Sequence, residues 1–111
     1  MHTADELNQA AMQIILCAGD CREMLGEVVD LMIDDADDDA VDAKLDEAKK
    51  EIVKAHVQQT DMIQDSIEDD VLNTTLLFTH AQDTLMTINS EVNMVTNMVK
   101  LYRKLRGAKE V

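Results

Sequence analysis

Apolar residues recur along the first third of the chain with a spacing that only one element satisfies. Leu7, Ala11, Ile14, Ala18, Cys21, Leu25, Val28 and Met32 step by four and three in turn, without a slip. This is the repeat of an α-helix that buries one face. Thr3-Ala4-Asp5-Glu6 precedes it and matches the S/T-x-x-E capping box, which fixes the start. Met12, Ile15 and Leu16 flank the seam, and Gly19 beside it leaves room for another backbone to come close. A second seam runs Val41, Leu45, Ala48, Ile52, Ala55, Gln59, Met62, and a third runs Ala81, Leu85, Ile88, Val92, Val95, Val99, Tyr102. The spacing predicts helices over roughly 4–34, 39–68 and 73–106, broken at Asp34 to Asp39 and in Ser66-Ile67-Glu68-Asp69-Asp70. Short connections between long helices make antiparallel neighbours. The expected fold is all-α: one domain over 1–111, an up-down-up three-helix bundle.

Composition closes off the other classes. There is no proline, only three glycines, and Phe78 and Tyr102 are the sole aromatics, so the turn and strand vocabulary of a β fold is missing. The net charge of −13 makes nucleic acid a poor partner, because binding there rests on cations that neutralise phosphates. Met1 to Glu6 carries acid where an export signal carries base, and no apolar run approaches a membrane span. A cytoplasmic location is expected. The charge is also uneven: residues 100–111 hold five cations and one acid, against five cations and 22 acids before them. Cations at the end of the last helix suit its macrodipole.

The third segment carries a second face. Leu76, His80, Asp83, Thr87, Ser90, Met94, Met98, Leu101 and Leu105 follow another heptad-like path, offset from the seam. A helix with two such faces buries one in its own bundle and offers the other to another chain. A homo-oligomer with His80 and Asp83 near its contact surface follows.

The candidate sites differ in weight. Asp35, Asp37 and Asp39 open like a calcium loop, but Ala40 stands where the loop needs glycine and Asp46 where it needs glutamate. A solvated break between helices is the better reading. Cys17 and Cys21 share a helix face, lack the second ligand pair of a zinc site, and read as small reduced core residues. Val53 and Leu77 stand three residues before His56 and His80, which excludes the Glu-x-x-His of a di-iron bundle. His2 precedes the first cap and is expected to be disordered, and His56 reads as a hydrogen-bonded residue at a helix contact. His80 carries more chemistry, since a neutral imidazole is a nucleophile near pH 7 and its ring nitrogen accepts a phosphoryl group. From spacing alone, a histidine satisfied at an oligomer contact is the simpler account.

The string around it shifts that balance. Thr79-His80-Ala81-Gln82-Asp83-Thr84-Leu85-Met86-Thr87 resembles the phosphorylation segment of lactose/cellobiose-class IIA proteins of the bacterial sugar phosphotransferase system, which reads H-A-Q-D-H-L-M-T. Met12-Gln13-Ile14-Ile15-Leu16-Cys17-Ala18-Gly19-Asp20 is similar to that family's first-helix segment. Ala55-His56-Val57-Gln58-Gln59-Thr60 resembles its A-H-x-x-Q-T segment, and Leu101-Tyr102-Arg103-Lys104-Leu105 its closing turn. Together the four cover roughly residues 5–106, in order.

The resemblance implies a nine-helix homotrimer of three-helix protomers and a phosphotransferase component with a phosphohistidine intermediate. His80 would accept the phosphoryl group from HPr and pass it to a cysteine of the cognate IIB component. IIB in turn serves the membrane IIC transporter in uptake of a lactose-, cellobiose- or chitobiose-type sugar. Asp83 matches the acid that the family sets on the trimer axis, where three copies share one Mg²⁺. Thr84 departs from the pattern, standing where the family has a second histidine. Two rival readings are a histidine phosphotransfer signalling domain and a non-enzymatic acidic scaffold. The first carries H-x-x-K-G, whereas Asp83 and Thr84 stand here in place of its Lys and Gly.

Overall fold

The computed structural model describes residues 3–68 and 74–110, and every regular element in them is a helix. They are α1 (Ala4–Ile33), α2 (Asp38–Glu68) and α3 (Leu76–Glu110). The capping box forms as expected: Thr3 Oγ1 accepts from the Glu6 N–H at 3.1 Å, and Glu6 accepts in return from the Thr3 N–H at 3.5 Å. All eight residues of the first seam are buried, as are Val41, Leu45, Ala48, Ile52 and Ala55 of the second. Ala81 to Val99 of the third seam are buried too, joined by Phe78. No polar or charged residue among those described is fully buried, so hydrophobic burial, worth ~1.5–3 kcal/mol per large side chain, holds the bundle.

The helices lie along one long axis in a particle of 62 × 19 × 19 Å. Arg22 meets Glu91 and Asp35 meets Tyr102, so α1 and α3 run parallel; His56 meets Asn89 and Asp42 meets Arg103, so α2 runs antiparallel to both. α1 packs closely against both partners, whereas the backbones of α2 and α3 approach each other less closely. Among the described residues no helix is long and apolar enough to cross a membrane.

The acidic break is a built turn. Asp34 caps α1, and Asp35 adopts the left-handed conformation at φ 57°. The Asp35 N–H bonds the Met32 carbonyl at 3.2 Å and the Ala36 N–H bonds the Leu31 carbonyl at 2.9 Å, the two bonds of a Schellman motif. Asp37 Oδ1 then accepts from the Ala40 N–H at 2.8 Å and starts α2. The calcium-loop geometry is absent because Asp37 is spent as a cap and Asp39 is already helical.

The third helix departs from the predicted bounds at both ends. It begins at Leu76 rather than near residue 73, because Thr75 Oγ1 accepts from the Phe78 N–H at 3.1 Å and caps the first turn. It continues past Arg106 to Glu110, since Gly107 keeps a negative φ and nothing like proline stops the ladder. His2 and Asn73 lie outside the described residues.

Candidate functional site

His80 and Asp83 lie in the second and third turns of α3, on the face turned away from the core. The core-facing neighbours Ala81 and Leu85 are fully buried and fix the rotation of the helix. Both site side chains are exposed. Neither the His80 ring nor the Asp83 carboxylate has a hydrogen bond or ion pair with any other described residue of the protomer. The whole second face predicted from the sequence, from Leu76 to Leu105, is exposed, and Met94, Met98, Leu101 and Leu105 keep about half of their surface open.

Two threonines anchor the backbone of this segment. Thr84 Oγ1 donates to the His80 carbonyl and Thr87 Oγ1 to the Asp83 carbonyl, each at 2.9 Å. The residue at the position of the family's second histidine therefore spends its hydroxyl proton on the main chain. The His80 ring keeps both nitrogens open, which suits a group that must be approached in line by a reaction partner.

His56 is a different kind of histidine. It is half-buried on α2, and its Nε2 lies 3.3 Å from Asn89 Oδ1 on α3, as a helix-contact residue should. With Arg103 and its partners Asp38 and Asp42, it links α2 to α3 through polar groups. Asn89 went unnoticed in the sequence because nothing in its spacing marks which helix it faces.

Three further features frame the site. Arg22 on α1 holds Glu91 on α3 through both carboxylate oxygens, at 2.9 and 3.1 Å. At the far end, Arg103 Nη2 reaches Asp42 at 2.6 Å and the Asp38 carbonyl at 3.2 Å. Arg106 donates to the Ala36 carbonyl at 3.3 Å and lies over the Tyr102 ring, while Tyr102 donates to Asp35 at 3.4 Å. Two of the cations expected to complement the macrodipole of α3, Arg103 and Arg106, also tie its end to the acidic turn. Both cysteines are free thiols. Burial pushes Cys21 up to about 11, with Glu51 and Glu91 adding to it, and burial followed by Glu51 raises Cys17, so neither supplies a thiolate near neutrality.

No three His, Cys, Asp or Glu side chains converge among the described residues of one protomer. Asp83 alone offers too few oxygens for a hard cation, but its open carboxylate on the outer face fits a site assembled from several copies.

Comparison with known proteins places this geometry. Residues 9–103 match the model of the lactose/cellobiose-specific IIA subunit of the phosphotransferase system. The crystal structure of PtcA from S. mutans superposes with a TM-score of 0.85 at 33% identity, covering 92% of this chain and 99% of that one. The cellobiose-specific enzyme IIA from Bacillus anthracis gives 0.82 at 29% identity, over 96% and 95% of the two chains. A third, IIA(chitobiose) in its solution complex with HPr from Escherichia coli, gives 0.76 at 27% identity over 91% and 97%. No curated protein matches the chain by sequence. A match over nearly the whole bundle, with an open histidine on its third helix, shows that the chain belongs to the lactose/cellobiose-specific IIA family and is a phosphoryl-carrying component of the sugar phosphotransferase system.

Proposed function

We propose that His80 is the phosphoryl acceptor of this carrier, that HPr is its donor, and that a cysteine of a cognate IIB component is its acceptor. The observation that carries the assignment is the contrast between the two helical histidines. The His80 ring is exposed and unengaged, whereas the ring of His56 is half-buried and held by Asn89. The solution complex of IIA(chitobiose) with HPr supports the donor.

The reaction is a pair of in-line displacements. A neutral His80 nitrogen attacks phosphorus while the nitrogen–phosphorus bond to the donor imidazole breaks, and the donor ring regains a neutral nitrogen. In the second step a IIB thiolate attacks, the bond to His80 breaks, and the phosphoryl group leaves on sulfur. Loose transition states ask the protein for alignment and access more than for covalent chemistry. The anchored carbonyls of His80 and Asp83 keep the backbone rigid while the ring stays free to be covered by each partner in turn. The carrier acts in the cytoplasm, and the sugar class served through IIC is of the lactose, cellobiose or chitobiose type.

The assembly is a homotrimer of about 37 kDa, three times the 12.4 kDa chain. The unpartnered second face of α3 supports this. Three Asp83 carboxylates meeting in such a contact would hold one Mg²⁺, which would supply the charge compensation that converging anions need. Asp83 then serves assembly rather than chemistry.

The test is incubation with phosphoenolpyruvate, enzyme I and HPr, followed by intact mass and discharge by IIB. One phosphate per chain, lost in His80→Ala and kept in His56→Ala, is the expected result. Phosphate retained by His80→Ala would overturn the assignment.

A further inference from the structure

Two rows of residues spaced by seven border each other where α1 meets α3. Arg22 and Val29 of α1 line one groove with Glu91 and Met98 of α3, and Arg22 bonds Glu91 across it at 2.9 Å. Both rows continue toward the His80 end, through Ile15 and Asn8 on α1 and through Thr84 and Leu77 on α3. All four are half-buried, and Ile15 and Leu77 pack against the core. Parallel helices that rise by the same ~1.5 Å per residue keep this register. Asn8, fourteen residues before Arg22, therefore comes level with Leu77, fourteen before Glu91 and in the first turn of α3.

Asn8 stands out in its row. Its Oδ1 is buried yet has no hydrogen-bond partner among the described residues. A buried acceptor without a donor works against the fold, and such groups are rare enough to need a reason. Leu77 and Ile15 bring no side-chain donor to it. His80 does, one turn on from Leu77. Side chains on a helix lean toward its N-terminus, which carries the exposed ring at position 80 over the turn that holds Leu76 and Leu77. The orphan acceptor and the unengaged ring thus share one level of the bundle, on bordering flanks of α1 and α3.

We propose that Asn8 is a positioning residue for phosphoryl transfer: its Oδ1 accepts the remaining ring N–H of His80 once the other ring nitrogen carries phosphorus. The inference rests on the reading of His80 as the acceptor. On attack, the nitrogen–phosphorus bond forms at one ring nitrogen while the proton stays on the other. The ring becomes a cation with one N–H to place. A neutral amide oxygen accepts that N–H, fixes the ring and leaves the proton where it is. On discharge the bond to phosphorus breaks, and the ring departs as neutral imidazole because the proton has been kept. In the resting state the ring stays free, which is what successive partners need.

The test follows the ring proton and the rate together. In the phosphorylated parent, the His80 ring N–H should give a slowly exchanging signal in proton–nitrogen NMR. Asn8→Leu should lose that signal, and its single-turnover discharge by IIB should slow by about five- to tenfold. Its melting temperature should hold or rise, because an apolar side chain replaces an unpaired buried acceptor. Asn8→Asp retains an acceptor at the position and should retain the signal. A purely structural asparagine would give the reverse in Asn8→Leu, a lower melting temperature with discharge at the parental rate, and that result overturns the proposal. Should Asn8→Leu fail to fold, ring N–H exchange in the phosphorylated parent and in Asn8→Asp decides alone. A freely exchanging N–H in a parent phosphorylated on His80, or a signal that Asp83→Leu removes and Asn8→Leu does not, overturns the role of Asn8 and leaves the carrier reading standing. Phosphate retained by His80→Ala overturns that reading, and this inference with it.

Discussion

The two ends of the bundle treat their polar groups in opposite ways. Around the α1–α2 turn, Asp35, Asp37, Asp38 and Asp42 each have a partner, supplied by backbone N–H groups or by Tyr102, Arg103 and Arg106. Near the start of α3, His80 and Asp83 stand on an equally exposed surface with no partner in the protomer. Solvent exposure is similar, so burial does not separate structure from function here. Partnering does for these residues: the four aspartates of the turn are bonded within the chain, and the two side chains proposed to act on other molecules are left open.

That contrast breaks most visibly by mutation of His80. His80→Ala should lower phosphoryl transfer by about three orders of magnitude or more while leaving the melting temperature of the bundle unchanged. Single-turnover transfer from HPr, read beside a thermal melt, checks both halves. A large loss of stability would mean that the ring is held after all.

Asp83→Leu should come next in size, and should act on assembly. Converging carboxylates cost several kcal/mol each to desolvate unless compensated, and apolar replacements are often neutral or stabilising. The variant should form a trimer at least as stable as the parent, indifferent to Mg²⁺ or EDTA, with transfer kept in part. The parent should lose trimer stability in EDTA. Dissolution of the variant into monomers, or transfer lost as fully as in His80→Ala, would give the carboxylate a role that this account lacks.

Arg103→Ala should show the reverse profile. The Arg103–Asp42 and Arg103–Asp38 pairs are partly open to solvent, so the loss should lower the melting point by only a few degrees, and less at high salt. Transfer should stay at the parental rate. A transfer defect with normal stability would join the two ends functionally and defeat the comparison.

The same contrast explains what could be read from the sequence. The seams were legible because a helical period depends only on order along the chain, and every residue of the first seam is buried. The second face of α3 was legible for the same reason. The start of α3 was missed because Thr75 caps without the Glu or Gln three residues on that completes a capping box. The ties from Arg103 and Arg106 to the turn were missed because they join residues more than sixty positions apart. Only the register of three packed helices brings those groups together, and the sequence read the cations as partners of the helix end alone. His80 was singled out by the string around it, since no periodicity separates an acceptor from a contact histidine. What the fold adds is the reason to prefer it over His56, namely Asn89.

Midway between the ends, Cys21 gives the finest test, because it sits in the core with Glu51 and Glu91 close enough to be felt. It is fully buried, and burial raises its thiol to about 11 from an ordinary value of 9.0. The fold therefore favours the neutral thiol. That contribution is fully present below pH 9 and is lost as pH rises through 11. At pH 8, iodoacetamide should modify Cys21 far more slowly in the native protein than in urea, with half-buried Cys17 in between. Between pH 9 and 11 the melting point of the parent should fall more steeply than that of Cys21→Ala, which lacks the ionisation but starts lower because of the cavity it creates. The gap between the two should therefore narrow. Native Cys21 that is alkylated as fast as an unfolded thiol at pH 8 would mean that the middle of the bundle opens readily. The rigid backbone on which His80 depends would then need another source than the core.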